Sequence, residues 1–485
     1  MRVSNARRRL LESLLVGCWQ AMPVAAIRMK ALWVAAVIVM SSTSRPVRAA
    51  ATAPPAPPPG HAAERQITRG PGGRILTNIG VWSPDSQWIA YDTRSDPAGE
   101  LFDGSRIEMV NIRTGEVRVL YQSQRGANCG VVTFSPVANR VVFMLGPENP
   151  TPDWTYAPSH RQGIMVETAG PGPARNLEAR DLTAPFTPGA LRGGSHVHVW
   201  DARGEWVAFT YHDALQESDL RDLGVGVPDC AVAVGPAHPR NHGGHFFSVL
   251  VTRTTANPKP GSDEIKRACE EGWVGTNGYA RPDGTRQRRA LAFQGHAVTA
   301  EGRTISEVFI VDLPEAMTIP GDGPLAGTLT DRPTPPKGTV QRRLTYTAAR
   351  PHPGLDGPRH WLRSSPDGSR IAFLMKDDAG IVQLWTVSPN GGPPGQLTRN
   401  PWPIASAFSW SPDGRRIAHL MDQSVAVTDA QSGATLRLTP RGEAALAPRP
   451  EACVFSPDNR HIAYIRQVPD GRVAHNQIFV LTLND

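Results

Sequence analysis

The feature that most constrains this chain is a short turn that recurs seven times. An apolar or aromatic residue leads into Ser-Pro-Asp-Gly or a degenerate form of it, and a β-rich run follows. Clear copies are Trp82-SPDS-QWIAYDT, Trp410-SPDG-RRIAHLM and Phe455-SPDN-RHIAYIR, and a fourth is the SPDG at 365–368 ahead of SRIAFLM. Degenerate copies are Phe134-SPVANRVVFML, Trp200-DARGEWVAFTY and Ala280-RPDG with the strand ALAF, so the turns start at 83, 135, 201, 281, 365, 411 and 456. Proline presets φ at the second turn position, and Asp and Gly suit the next two. Alternating apolar residues on both sides read as a hairpin. The last two intervals, 46 and 45 residues, match one four-stranded propeller blade. In the sixth unit all four strands are legible, at 405–410, 416–421, 424–428 and 435–439. The chain therefore reads as an all-β, seven-bladed β-propeller of four-stranded blades. Its 46 Gly and 46 Pro among 485 residues weigh against a helical bundle.

The seventh unit supplies only three strands, ending with 477–483. The missing one is found at 65–68, whose Ile-Thr ending matches Leu344-Thr345 and Leu397-Thr398. An N-terminal strand that completes the last blade removes the edges an open array would expose. Before it, 54–63 is a Pro-rich linker and 1–53 a leader. The apolar stretch 31–40 follows Arg28 and Lys30, is too short to span a bilayer, and suits a signal peptide whose true start is Met29. The expected location is periplasmic or secreted, with no stable membrane span after cleavage. The net charge of +7 comes from scattered Arg without a basic run, so nucleic acid is not an expected partner. A monomer that takes a small-molecule, glycan or protein ligand is expected.

Over nearly all of 64–485 the repeat resembles the TolB-type, WD-like propellers, through the SPDG turn and the I-A-F/Y/H strand after it. More narrowly the chain resembles the YidR-like bacterial propellers, through GGSHVHVW at 193–200, PGSDEI at 260–265 and EGWVG at 271–275. That resemblance brings no activity with it. The chain also lacks a G-x-S-x-G elbow, an HExxH, a phosphate loop and a dinucleotide fingerprint.

In a propeller the innermost strands line the central channel, where ligands commonly sit. Five residues ahead of each turn stand Asn78, Gly130, His196, Thr276, His360, Ser406 and Glu451; the position two residues later holds His198 in the third unit and Gly278 in the fourth. In a regular strand, i and i+2 share a face, so His196 and His198 could reach one ion. Oligogalacturonate lyases resemble the chain at this point. Their His-x-His ahead of the same turn implies a divalent metal (Mn, Ca or Zn) held by His196 and His198, with His360 a looser third ligand, beside a uronate. The alternative is that these histidines hydrogen-bond neighbouring blades. Arg192, Arg359 and Arg363 are candidate donors to a carboxylate or phosphate, and Asn78 and Glu451 complete a polar ring.

The segment 214–278 reads as a long insertion carrying a helix from the N-cap Ser262 to about Glu271, with the three-histidine loop AHPRNHGGH inside it. A single disulfide, Cys230–Cys269, is expected there, with Cys129 and Cys453 as buried core residues. Two functions stay open: an exported binding module acting at the channel mouth, or a divalent-metal-dependent lyase on an acidic saccharide.

Overall fold

The computed structural model describes residues 63–483 except 97, 98, 171, 217, 218 and 229. The leader, Met29 and most of the linker lie outside the described residues. Seven antiparallel sheets of four strands follow one another along the chain, with two additional two-stranded ladders. Among the described residues the only helical segments are two single turns of 3₁₀ helix, and no helix is long and apolar enough to cross a membrane.

The recurrent turn explains itself. In blade five Gly368 has φ +75°, and a Cβ there would lie 2.1 Å from the carbonyl oxygen of Gly278, so only glycine fits. Asp367 accepts the Ser369 backbone N–H at 3.0 Å, and Ser365 Oγ accepts that of Arg370 at 3.1 Å. Blade six repeats the device with Ser411, Asp413 and Arg416. The apolar strands that leave these turns pack blade against blade. Leu374 and Leu384 of blade five meet Phe408, Trp410 and Ile417 of blade six in one buried cluster. A second tie is polar: in blades one, four and six the tryptophan just before a turn donates its indole N–H to the preceding blade. Trp82 reaches the Val454 carbonyl at 3.1 Å, Trp410 that of Arg363 at 3.0 Å, and Trp273 that of Val199 at 3.0 Å.

Trp273 is therefore the pre-turn residue of blade four, which corrects the repeat alignment. The innermost strand of that blade is Ile265–Trp273, paired with Ala290–Val298. The turn at 281 instead closes a small ladder between Tyr279–Ala280 and Arg286–Gln287. The expected helix is thus a strand. Its register shifts twice, between Ile265 and Ala268 and between Cys269 and Gly272. Each bulge adds a residue and breaks the two-residue alternation, so burial along the strand takes a helix-like spacing. The expected insertion dissolves in the same way: Asp222–Val227 and Phe247–Leu250 are the outer strands of blade three. All four cysteines in the described region are free. Cys230 is exposed on a loop and Cys269 is buried in an innermost strand, so the expected disulfide is not formed.

Closure is as expected, with a small change of bounds. Ala63–Gln66 pairs antiparallel with Val473–Thr482 as the outermost strand of blade seven, Ala63 opposite Thr482 and Gln66 opposite Phe479. Beyond it, Thr68 donates from Oγ1 to Gln477 Oε1 at 2.8 Å and accepts the Ile478 N–H at 2.9 Å.

Candidate functional site

Innermost strands of blades two, three and four bulge at one equivalent place. Val131, Val197 and Glu270 have φ of +59°, +56° and +52°, left-handed values that residues other than glycine rarely adopt. The register shifts between Gly130 and Thr133, between His196 and Val199, and between Cys269 and Gly272. The extra residue reverses the alternation, so His196 and His198 do not share a face. His198 turns into the joint with blade two. Its ring is buried, with Nε2 3.0 Å from Ser195 Oγ and 3.8 Å from Glu178 Oε2. Glu178 in turn accepts the Gly163 N–H at 2.7 Å and the Ser195 hydroxyl.

The channel is filled. Val197, Val199 and Trp361 pack together with Ile79, Val131 and Trp273, drawn from blades one to five. Arg363, also buried, crosses the axis from blade five and donates to Oδ1 of Asn78 in blade one. Close to it lies buried Glu271, whose Oε2 accepts from Thr210 Oγ1 at 3.2 Å and whose Oε1 has no partner. Burial, reinforced by Glu270, raises the Glu271 carboxyl to about 7.

On top of this plug lies a cationic mouth. His196 is half-buried there, within electrostatic reach of Arg161, Arg221 and Arg359. Burial and then these three guanidinium groups push its pKa well below the usual value, so the ring is neutral. Arg161 and Arg221 each stand just before the third strand of their blade, two and three respectively. Arg359 stacks over Trp361 at 4.5 Å, and Arg161 over Tyr156 at 5.1 Å. Glu270 pairs with Arg359 at 3.0 Å and with Arg221 at 4.0 Å. Among the described residues no carboxylate pairs with Arg161, and its buried Nε has no partner. Beside the mouth, between blades four and five, is a cavity of about 290 Å³ lined by Arg221, Arg267, Glu270, His296 and Arg359.

Of the expected site residues, the structure places His196 and Arg359 together at this mouth. His360 is buried, with Nδ1 2.9 Å from the Pro358 carbonyl and Nε2 3.1 Å from the Leu374 N–H, so both nitrogens are committed within its blade. Burial lowers its pKa to about 4. Arg192 is buried against Asp213 at 2.8 Å and the Thr328 carbonyl. Glu451 pairs with Arg449 at 2.7 Å, and Asn78 is the acceptor for Arg363. Among the described residues no three His, Cys, Asp or Glu side chains converge as a metal ion would require. Arg161, Arg221, Glu270 and Glu271 escaped the turn alignment. The first two sit away from the turns, and the latter two belong to the strand misread as a helix. The pre-turn tryptophan of blade four, Trp273, is the signal that would have placed both glutamates.

A family described as a protein of unknown function (DUF3748) matches residues 128–242, a span that contains Arg161, His196, His198 and Arg221. The Uncharacterized protein YidR of Escherichia coli strain K12 is 48% identical over 412 residues, 83% of this chain and 95% of its own length. The chain belongs to the YidR family. Among solved structures, this YidR-family chain is similar to an oligogalacturonate lyase in complex with manganese, with a TM-score of 0.53 and 11% identity over 88% of this chain and 94% of that one. At that identity the likeness is one of fold. A putative TolB from Agrobacterium tumefaciens is more distant, with a TM-score of 0.36 and 15% identity over 78% of this chain and 98% of that one.

Proposed function

We propose that this YidR-family chain is an exported, monomeric binding module whose mouth, over blades two to five, takes an anionic ligand, an acidic saccharide being the class it suits best. The observation that carries the reading is the positive charge around His196: three guanidinium groups lie within electrostatic reach of its ring, Glu270 pairs with two of them, and among the described residues no carboxylate pairs with Arg161. Charge-assisted hydrogen bonds from Arg are the usual means of holding carboxylates. A half-buried site strengthens them, because solvent screens them less. The plug beneath confines the ligand to the mouth. Export rests on the leader at 1–53, and with it a periplasmic or secreted location.

The alternative, a lyase using Mn, Ca or Zn, draws on the fold alone. The metal does not fit the donors: His196 and His198 face different ways and His360 has no free nitrogen.

The test is calorimetric titration with trigalacturonate and, as neutral control, maltotriose, at low and high salt. The acidic trimer should bind, the neutral one should not, and affinity should fall as salt rises. Arg161→Ala should weaken binding roughly tenfold. Equal binding of both trimers, or of neither, overturns the reading.

A further inference from the structure

We propose that Arg221 and Arg359 form a carboxylate-binding subsite, filled in this structure by the chain's own Glu270; the proposal rests on the reading of the mouth as an anion site. One oxygen, Glu270 Oε1, lies 3.0 Å from Arg359 Nε and 4.0 Å from Arg221 Nη1. Two guanidinium groups from different blades thus converge on a single carboxylate oxygen. Nothing in the strand geometry requires an acid at this position. The equivalent left-handed residues in blades two and three are Val131 and Val197, and both pack into the apolar plug. Glu270 shares their backbone but carries its charge to the arginines, where its side chain is 11% exposed.

The subsite opens to solvent on the Arg359 side. The Arg359 side chain is 57% exposed, and that of Arg221 18%. Next to the fork is the cavity of about 290 Å³, to which Arg267 adds a third guanidinium. Arg267 is paired with Asp219 at 3.3 Å, and Asp356 in the same lining with Lys376 at 2.7 Å, so the positive charge left for a ligand is that of the Arg221–Arg359 fork, which Glu270 holds. That volume lies at the small end of the ~300–1,000 Å³ range of ligand pockets. It suits one ring-sized acidic unit rather than a length of polymer. Glu270 then acts as a placeholder: it keeps the two arginines aligned while the site is empty and competes with the carboxylate of the incoming unit. Removing it should help the ligand.

Galacturonate titrations of the wild type, Glu270→Gln, Glu270→Gly and Arg161→Ala test this. The glutamine variant keeps the shape, and the glycine variant suits φ +52° and so guards against misfolding. Both should bind galacturonate roughly fivefold more tightly, the scale on which a partly exposed ion pair acts. Unchanged or weaker binding in both overturns the placeholder. If Arg161→Ala still lowers affinity in that case, the mouth remains an anion site. If no variant binds galacturonate, the functional reading falls, and crystals of Glu270→Gly soaked in acetate decide the subsite separately. An acetate carboxylate between Arg221 and Arg359 supports the proposal; a fork without one overturns it.

Discussion

Arg363 of blade five donates from Nη2 to Oδ1 of Asn78 in blade one, so one guanidinium spans the channel axis beneath the apolar plug. Its other contacts are weaker ones to the carbonyls of Leu362 at 3.3 Å and Glu271 at 3.5 Å, and its Nε has no acceptor. Burial pulls its pKa down to about 9, against the pull of nearby Glu271. The blades are thus tied across their centre by a bond whose loss leaves a buried charge under-satisfied.

Asn78→Ala removes that acceptor. A buried donor left without its partner costs about 1–3 kcal/mol. The variant should lose about 2 kcal/mol in urea unfolding, and pairing it with Arg363→Met should cost less than the two singles added together. Additive losses would mean the two side chains act independently.

Glu271 makes stability depend on pH in the unusual direction. Its carboxyl titrates near 7 in the fold, against 4.5 ordinarily. Between those values the folded state holds more protons than the unfolded one, so this group's contribution to stability falls as pH rises from 4.5 to 7. The full effect is of order 3 kcal/mol, at about 1.4 kcal/mol per unit. Glu271→Gln should therefore be more stable than the wild type at pH 8, with the gain fading towards pH 4.5. A gain that does not vary with pH would assign it to packing instead.

The blade count was legible because the SPDG turn is local chemistry: a proline, an acid and a glycine at fixed offsets. The closing strand was legible as well, from its Ile-Thr ending. The site was not, because its geometry hangs on three bulges. A left-handed valine at 197 leaves no mark in sequence, yet it decides that His198 faces Ser195 and Glu178 while His196 faces the arginines. The cap-like Ser262, which accepts the Glu264 N–H at 3.2 Å within a turn, likewise made the channel-lining strand Ile265–Trp273 read as a helix. Arg161 and Arg221 come from outside the repeat's turn, and only the curvature of the ring brings them to His196.

Closure of the ring gives a truncation test. Ile67 is buried in a cluster with Val480 and Ile478, and Thr68 is hydrogen-bonded to Gln477 and Ile478. A chain starting at residue 71 should lose several kcal/mol, the order expected from burying a strand's apolar side chains, and should expose an edge. A chain starting at residue 63 should melt with the full-length protein. Equal melting temperatures for the two truncations would show that the first strand does not hold blade seven.

The two histidines of the His-Val-His segment should separate cleanly. His198 is buried against Ser195 and Phe209, and its replacement by alanine opens a cavity worth about 2–3 kcal/mol. His196 lies at the mouth, and His196→Ala should stay within about 0.5 kcal/mol of the wild type. Burial lowers the pKa of both rings, so the folded state rejects protons that the unfolded state accepts. Their contribution to stability is then present above the usual value of 6.5 and declines as pH falls below it. Neither ring should show an NMR titration step near 6.5 in the folded protein. Because His196 and His198 face different ways and no three metal-ligating side chains converge among the described residues, purified protein equilibrated with Mn or Zn should retain no stoichiometric metal. Stoichiometric metal that both His196→Ala and His198→Ala release would mean that the two rings meet after all.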